Sequence, residues 1–373
     1  MRAVIVNCFD TYENRVELVH SFLKNQGYDV TVIQSDFRHF KKEKRIKKKQ
    51  DFYFVNTKPY YRNLSARRLH SHYMYAKNAF EIVERIAPDL LYVCVPPNFL
   101  SKFAARYKQK NKEMKLILDI IDLWPETLPI KKIKKTPPFK YWALQRDKSL
   151  RRADLVITEC NLYYNILKSA LDGVKTETLY LAKKEIKVVS NAKLDNDEIH
   201  LAYLGSINNI VDIPKIKEVI NIIKEIKPVT LHIIGGGEKK NELIAAAKSA
   251  DANVEYHGNI YGSQEKQDIF DRCHLGLNIM KDNVCVGLTM KSIDYFQHGL
   301  PIINNIPADT KEIVEKYESG INILEGEDFE QKIKDYILKE KYLNKTNQVK
   351  LFQEQFSTDT FFKNMENILN NIL

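Results

Sequence analysis

No stretch of the 373 residues approaches the roughly 18 consecutive apolar residues that a membrane-crossing helix requires. The apolar opening from Met1 to Asn7 is closed by Asp10, too early for the core of a secretory signal. Cysteine is scarce: Cys8, Cys94, Cys160, Cys273 and Cys285 are odd in number, scattered and never spaced as C-x-x-C. That pattern fits neither a disulfide framework nor a zinc site and implies a reducing compartment. Glycine and proline are also few, 13 and 12, which argues against long disordered or low-complexity regions. A cytoplasmic chain is the expectation. Its length exceeds the roughly 250–300 residues at which single cores stop growing, so two domains are expected.

Charge is present in excess but unevenly. Residues 1–187 carry 37 Lys and Arg against 20 Asp and Glu, a net +17, whereas residues 188–373 carry 21 against 28, a net −7. Two basic runs, Lys41–Lys49 and Lys131–Lys135, stand in the first half. Such clusters attract anionic lipid headgroups at about 1 kcal/mol per basic residue. A single run is as often only a solvated loop; two runs beside an acidic second half favour contact with a membrane surface. Nucleic acid is not expected as a partner.

Short apolar runs alternate with helical patterns along the whole chain, the signature of parallel sheets covered by helices on both faces. Strands are read at Val4–Val6, Asp29–Ile33, Leu90–Val95, Leu116–Ile121 and Asp154–Thr158, with helices over Arg15–Gln26, Ala76–Ile86 and Phe99–Lys110. The polar segment Ser190–Glu198 suits a linker. A second cycle follows, with strands at Ile199–Leu204, Thr230–Ile234, Val254–His257, Leu275–Ile279 and Pro301–Ile303. The spacing predicts a helix over Lys350–Leu373. The expected organisation is an α/β chain of two doubly wound domains, 1–187 and 199–345, with the helix of 346–373 available to return to the first. Each domain offers a crevice at the carboxyl ends of its strands.

The sharpest local pattern runs from Cys285 to Ile303: a turn at Gly287, a helix beginning near Thr289, a stop at Gly299 and a strand from Pro301. A helix start with free N–H groups, preceded by glycine and followed by Lys291, is an anion site suited to a diphosphate. Asp294, one turn further on, can accept two sugar hydroxyls. The plainer reading is a capped core helix with a surface Lys–Asp pair. Gly205 and Ser206 end one strand and Gly235, Gly236 and Gly237 another, placing bare backbone where a nucleotide approaches. Gly235–Gly237 lacks the G-x-G-x-x-G spacing of a dinucleotide site. The strand Leu118–Ile121 opens at Asp122 into a loop stiffened by Pro125; a carboxylate there can bind a sugar hydroxyl or merely satisfy loop N–H groups.

In this order the segments resemble glycosyltransferase family 4. The likeness rests on Asp119–Glu126 with its Leu-Trp-Pro-Glu, on Ala153–Thr158, on Tyr203–Ser206, on Gly235–Gly237, on Val254–Gly258 and on Lys291–Pro301, and covers nearly the whole chain. The resemblance implies the GT-B fold, with two Rossmann-like domains facing across a cleft, and transfer from a nucleotide sugar with retention of configuration, without metal or cofactor. It further implies that Lys291 and the amides of Leu288 and Thr289 meet the donor diphosphate. Asp294 would take the ribose, Gly258, Asn259, Ile260 and Tyr261 the base, and Asp122 would floor the reaction site.

The chain departs from the family at Val286, where many members carry Glu, and after Ser206, where Arg or Lys is usual. It departs again at Cys8–Asn14, in place of a glycine-rich loop, and at Ile121, in place of His or Arg. Such departures resemble the branch acting in bacterial capsule, lipopolysaccharide and exopolysaccharide assembly. That branch implies a glycan or polyprenyl-linked acceptor and a peripheral position on the inner face of the cell membrane. Two alternatives remain open at this level: an inactive nucleotide-binding partner subunit and a sugar-nucleotide epimerase. Asp195-Asn-Asp197 has the D-x-D pattern of metal-dependent transferases, but its place in the linker reads as a turn.

Overall fold

The computed structural model describes residues 1–39, 41–45, 49–62, 65–128, 136–188, 190, 194, 197–324, 326 and 328–372. The chain divides into two compact units, Met1–Ala182 with Phe361–Leu373, and Lys183–Thr360. The sequence places these boundaries at 187, 199 and 345; the chain instead passes from one unit to the other at Ala182–Lys183 and Thr360–Phe361.

The first unit contains β1 (Arg2–Asn7), β2 (Asp29–Ser35), a hairpin of β3 (Phe37–Arg38) and β4 (Glu43–Lys44), β5 (Phe52–Val55), β6 (Leu90–Val95), β7 (Lys115–Ile120), β8 (Leu155–Thr158) and β9 (Thr176–Thr178). All but the hairpin form one parallel sheet in the order β5-β2-β1-β6-β7-β8-β9. Its central strands are runs of Val, Ile and Leu because both faces are covered. Val4, Val93 and Leu118 face one apolar cluster while Ile5, Tyr92 and Ile117 face the other. The second cluster is completed by Phe361, Met365, Ile368 and Leu369, from the helix Thr358–Asn370. The terminal pattern is therefore not one helix but two, Thr346–Gln355 and Thr358–Asn370, interrupted where Lys183 N–H donates to Phe356 O at 2.8 Å.

One buried polar knot ties this unit together. The Arg15 guanidinium donates from Nε and Nη2 to the two Asp119 oxygens at 2.6 and 2.8 Å, and Tyr92 Oη donates to Asp119 at 2.6 Å. Burial opposes the charge on Arg15, but the Asp119 carboxylate holds its pKa above the usual value. Asp119, a strand-end carboxylate in the sequence, is thus committed to the core.

The second unit contains β10 (Ile199–Leu204), β11 (Val229–Ile234), β12 (Asn253–Gly258), β13 (Leu275–Asn278), β14 (Ile302–Asn304) and β15 (Gly320–Asn322), all parallel, in the order β12-β11-β10-β13-β14-β15. The order reverses between β10 and β13, and in open sheets of this kind the crevice above that reversal holds the ligand.

Candidate functional site

At the carboxyl edge of the second sheet, four of the sequence-singled segments lie side by side. Gly205 N–H donates to Ile234 O at 2.8 Å, Gly235 N–H to Gly258 O at 2.7 Å, and Ile207 N–H to Gly236 O at 2.8 Å. The strand ends carrying Gly205–Ser206, Gly235–Gly236 and Gly258–Tyr261 therefore form one continuous rim. Two of the glycines carry a packing constraint of their own. A Cβ on Gly235 would lie 2.1 Å from Gly205 O, and one on Gly237 would lie 2.3 Å from Ile207 O. Neighbouring turns pack on both positions, which by itself requires glycine there. Gly205, at φ +112, has open space where a Cβ would stand.

The helix Met290–Gln297 starts beside this rim, capped by Thr289, whose Oγ1 accepts Ser292 N–H at 3.2 Å. The first intrahelical bond runs from Ile293 N–H to Thr289 O, so the N–H groups of Met290 and Lys291 precede it and are left for a ligand. Leu288 and Thr289 are buried and Met290 is exposed, so the helix begins at the surface. Tyr295 pins the helix to the sheet, accepting Leu204 N–H at 2.8 Å and donating to Ala202 O at 3.1 Å.

Lys291 turns inward. Its ammonium stands 4.7 Å from the centroid of the Tyr203 ring, and among the described residues no carboxylate lies within ion-pair distance of it. Burial pushes its pKa down to about 8. The expected Lys291–Asp294 surface pair does not form. Asp294 is held by Lys183 at 2.6 Å and Lys266 at 3.1 Å. Burial alone would raise the pKa of its carboxyl group, but the two ammonium groups hold it below the usual range. Two ammonium groups thus face one carboxylate, and Lys291 stands apart from that cluster.

Sequence reasoning missed Lys183, Lys266 and a ladder of buried asparagines. Asn278 donates to Asn304 at 2.9 Å, Asn304 donates to Asn322 at 2.8 Å, and Thr289 Oγ1 donates to Asn278 Oδ1 at 2.8 Å. The three asparagines are in register on β13, β14 and β15. The legible signal was an Asn closing each of three successive apolar runs. The ladder fixes the helix start relative to the sheet. Asn278→Ala should cost roughly 1–3 kcal/mol, since it strands buried polar partners, and should weaken anion binding at the cap. Denaturant unfolding and nucleotide titration of the variant would check both effects.

In the first unit Asp122 is partly buried, and each of its oxygens is engaged by its own loop. Oδ2 accepts Trp124 Nε1–H and Oδ1 accepts Thr127 Oγ1–H, both at 2.6 Å. Burial raises the pKa of its carboxyl group, against these bonds. These bonds give Asp122 a loop-fixing role that sets Trp124. That ring joins His72, Leu128, Phe139, Trp142 and Arg68 around a cavity of about 440 Å³, with the Arg68 guanidinium 4.4 Å from the Trp124 ring. The walls are chiefly apolar, with Phe99, Trp124, Phe139, Tyr141 and Trp142 among them. The Glu126 carboxylate of the same motif accepts two hydrogen bonds from Arg146, at 2.9 and 2.8 Å, so the Trp-Pro-Glu segment is anchored at both ends.

In the basic run Lys41–Lys49, Lys47 and Lys48 lie outside the described residues, and three of the described cations are already paired. Lys44 pairs with Asp36 at 3.1 Å, Arg45 with Glu13, and Lys49 with Glu17. Lys131–Lys135 lies outside the described residues, as do Asp195 and Asn196 of the D-x-D pattern. Among the described residues no helix is long and apolar enough to cross a membrane.

Two doubly wound units, the second with an anion-ready helix start at its strand reversal, define the GT-B class of fold. Residues 198–339, within the second unit, match the family model described as Glycosyl transferases group 1. Solved structures extend the likeness over the full length. A sucrose-phosphate synthase from Thermosynechococcus elongatus is 11% identical with a TM-score of 0.75, covering 100% of this chain and 99% of its own. The lipopolysaccharide outer core galactosyltransferase WaaB is 12% identical with a TM-score of 0.69, covering 100% of both chains. HepE of Anabaena, solved with UDP, is 12% identical with a TM-score of 0.67, covering 99% of this chain and 100% of its own. No curated protein matches the sequence.

Proposed function

We propose that this chain is a retaining, metal-independent glycosyltransferase whose second unit binds a nucleoside-diphosphate sugar. The observation that carries the reading is the part-buried Lys291 ammonium, without a carboxylate partner among the described residues, beside the free N–H groups of a helix start. A charge of this kind needs an anion, and a diphosphate supplies one. In the reaction the bond from the anomeric carbon to the diphosphate breaks as the acceptor hydroxyl oxygen bonds to that carbon on the same face, and the hydroxyl proton passes to the departing phosphate oxygen. The leaving diphosphate gains negative charge as it departs. Lys291 and the N–H groups of Leu288, Thr289 and Met290 stabilise that charge. Gly258, Asn259, Ile260 and Tyr261 border the base, and Asp294, steadied by Lys183 and Lys266, keeps lone pairs for the ribose hydroxyls.

Asp122 acts here as a positioning residue for Trp124, and the aromatic cavity of the first unit takes the acceptor, a glycan or its polyprenyl carrier, in surface-polysaccharide assembly. Attraction to an anionic inner-membrane surface rests on the +17 of residues 1–187 as a whole, since Asp36, Glu13 and Glu17 already offset part of the 41–49 run.

The test is a thermal-shift series with nucleoside diphosphates and their sugars, followed by product analysis. A ligand present at 100 times its Kd adds about 2.7 kcal/mol to the folded state. A clear rise in melting temperature with at least one nucleoside diphosphate, and none with the nucleoside alone, is expected. Equal shifts from both would remove the diphosphate from the argument. A second reading, a nucleotide-binding partner without turnover, is favoured by Val286 and by the two lysines on Asp294; it predicts the same shift with no transfer to any acceptor.

A further inference from the structure

On one face of the second sheet the histidines His200, His232 and His257 stand in a row across β10, β11 and β12. His200 Nδ1 lies 2.8 Å from His232 Nε2, and His232 Nδ1 lies 3.1 Å from His257 Nε2. Glu255 closes the row at the sheet edge, its Oε2 lying 3.4 Å from His232 Nδ1 and 3.7 Å from His257 Nε2. Three ligand atoms are thus mutually separated by 3.1, 3.4 and 3.7 Å. Zinc bonds of about 2.0–2.2 Å in tetrahedral array place neighbouring ligand atoms roughly 3.3–3.6 Å apart. The triangle therefore already has nearly the dimensions of three vertices of a zinc tetrahedron.

We propose that His232 Nδ1, His257 Nε2 and Glu255 Oε2 bind one divalent transition-metal ion of the Zn²⁺ class, with solvent as the fourth ligand. Two imidazoles and a carboxylate are a donor set suited to Zn²⁺ and unsuited to Mg²⁺ or Ca²⁺. The outer shell is present as well. With Nδ1 on the metal, His232 carries its proton on Nε2 and donates it to His200 Nδ1. His200 Nε2 in turn faces Glu198 Oε2 at 3.6 Å, and Thr230 Oγ1–H fixes Glu198 through its other oxygen. A ligand histidine held by a second polar partner in this way is the arrangement that orients metal-bound imidazoles. His257 need only carry its proton on Nδ1, so no proton has to leave the protein.

One contact opposes the ion: Arg272 Nη1 lies 3.3 Å from Glu255 Oε2. The arginine is nearly half exposed and can shift to the other carboxylate oxygen or to solvent. His232 is fully buried while His257 and Glu255 are partly open, which leaves the solvent side for entry and for the fourth ligand. Bound there, the ion clasps edge strand β12 to β11. It takes no part in the transfer chemistry.

The experiment uses untagged full-length protein, stripped with a chelator, dialysed and titrated calorimetrically with Zn²⁺, with Co²⁺ absorbance as a second readout. One equivalent should bind, with the visible spectrum of tetrahedral Co²⁺, and saturation should raise the melting temperature. His257→Ala and Glu255→Gln lie at the exposed side of an edge strand. Losing a ligand should cost more than the roughly 10- to 100-fold seen for an outer-shell partner, so each variant should bind at least tenfold more weakly and lose the Co²⁺ spectrum. A folded wild type that takes up no stoichiometric Zn²⁺ overturns the proposal, as does wild-type affinity in a folded His257→Ala. Should one variant fail to fold, the other decides.

Discussion

Lys291→Met should make the protein more stable and its donor chemistry far worse. A part-buried ammonium with no counter-ion among the described residues destabilises the free protein, and its pKa, lowered from 10.5 to about 8, expresses that cost. Replacing it with an apolar side chain of similar length should raise unfolding stability by roughly 1–3 kcal/mol. Removing one charge-stabilising donor from a reaction site costs about 10²–10³ in turnover, and the variant should lose activity on that scale. A side chain that merely packs would show the first effect without the second.

The same lysine sets a pH dependence of fixed sign. Its folded pKa lies below its unfolded value, so between about pH 8 and 10.5 the unfolded chain binds more protons than the folded one, and this group's contribution to stability rises with pH. Donor capture runs the other way: kcat/KM should fall as pH rises through about 8, where the free protein loses the charge. Lys291→Arg, if active, should lack that alkaline fall, because guanidinium does not deprotonate in this range. An unchanged alkaline limb in the arginine variant would assign the titration to another group.

Much of this was legible because parallel sheets write themselves as apolar runs. Leu90–Val95 and Ile199–Leu204 are strands with the bounds their sequences suggest, and the cap at Thr289 follows from its glycine, its hydroxyl and its position before an amphipathic turn. What was hidden had three physical causes. Edge strands such as β5 and β9 are short and only partly buried, so they lack the continuous apolar signal. The helix Ala66–Ile86 begins ten residues before its apolar pattern, because its first turns bury polar side chains, Arg68, Ser71 and His72, around the aromatic cavity. The partners of Asp294 come from Lys183 and Lys266, far away in sequence, and nothing in a local pattern could pair them.

The same limit explains why two carboxylates of one motif diverge, and Asp119 carries the second large expected effect. Asp119 and Asp122 are three residues apart at a strand end and look interchangeable in sequence. Only the tertiary fold brings Arg15, 104 positions from Asp119, to pair with it inside the core. Asp119→Ala leaves a guanidinium buried and unpaired, with Tyr92 Oη stranded beside it, and breaking a buried pair on one side costs about 3–5 kcal/mol. For a unit of this size each kcal/mol lowers the melting temperature by about 2–4 °C, so the first unit should melt roughly 6–20 °C lower. Arg15→Met combined with Asp119→Leu should recover most of that loss, because a well-packed apolar pair is as good as a buried ion pair or better. Both variants should keep nucleotide binding at temperatures where they are folded, since the diphosphate site we propose belongs to the second unit. A single variant as stable as wild type would show that the Arg15–Asp119 pair contributes little. A double variant no better than the single would place the loss in Tyr92 and its neighbours, not in the stranded charge.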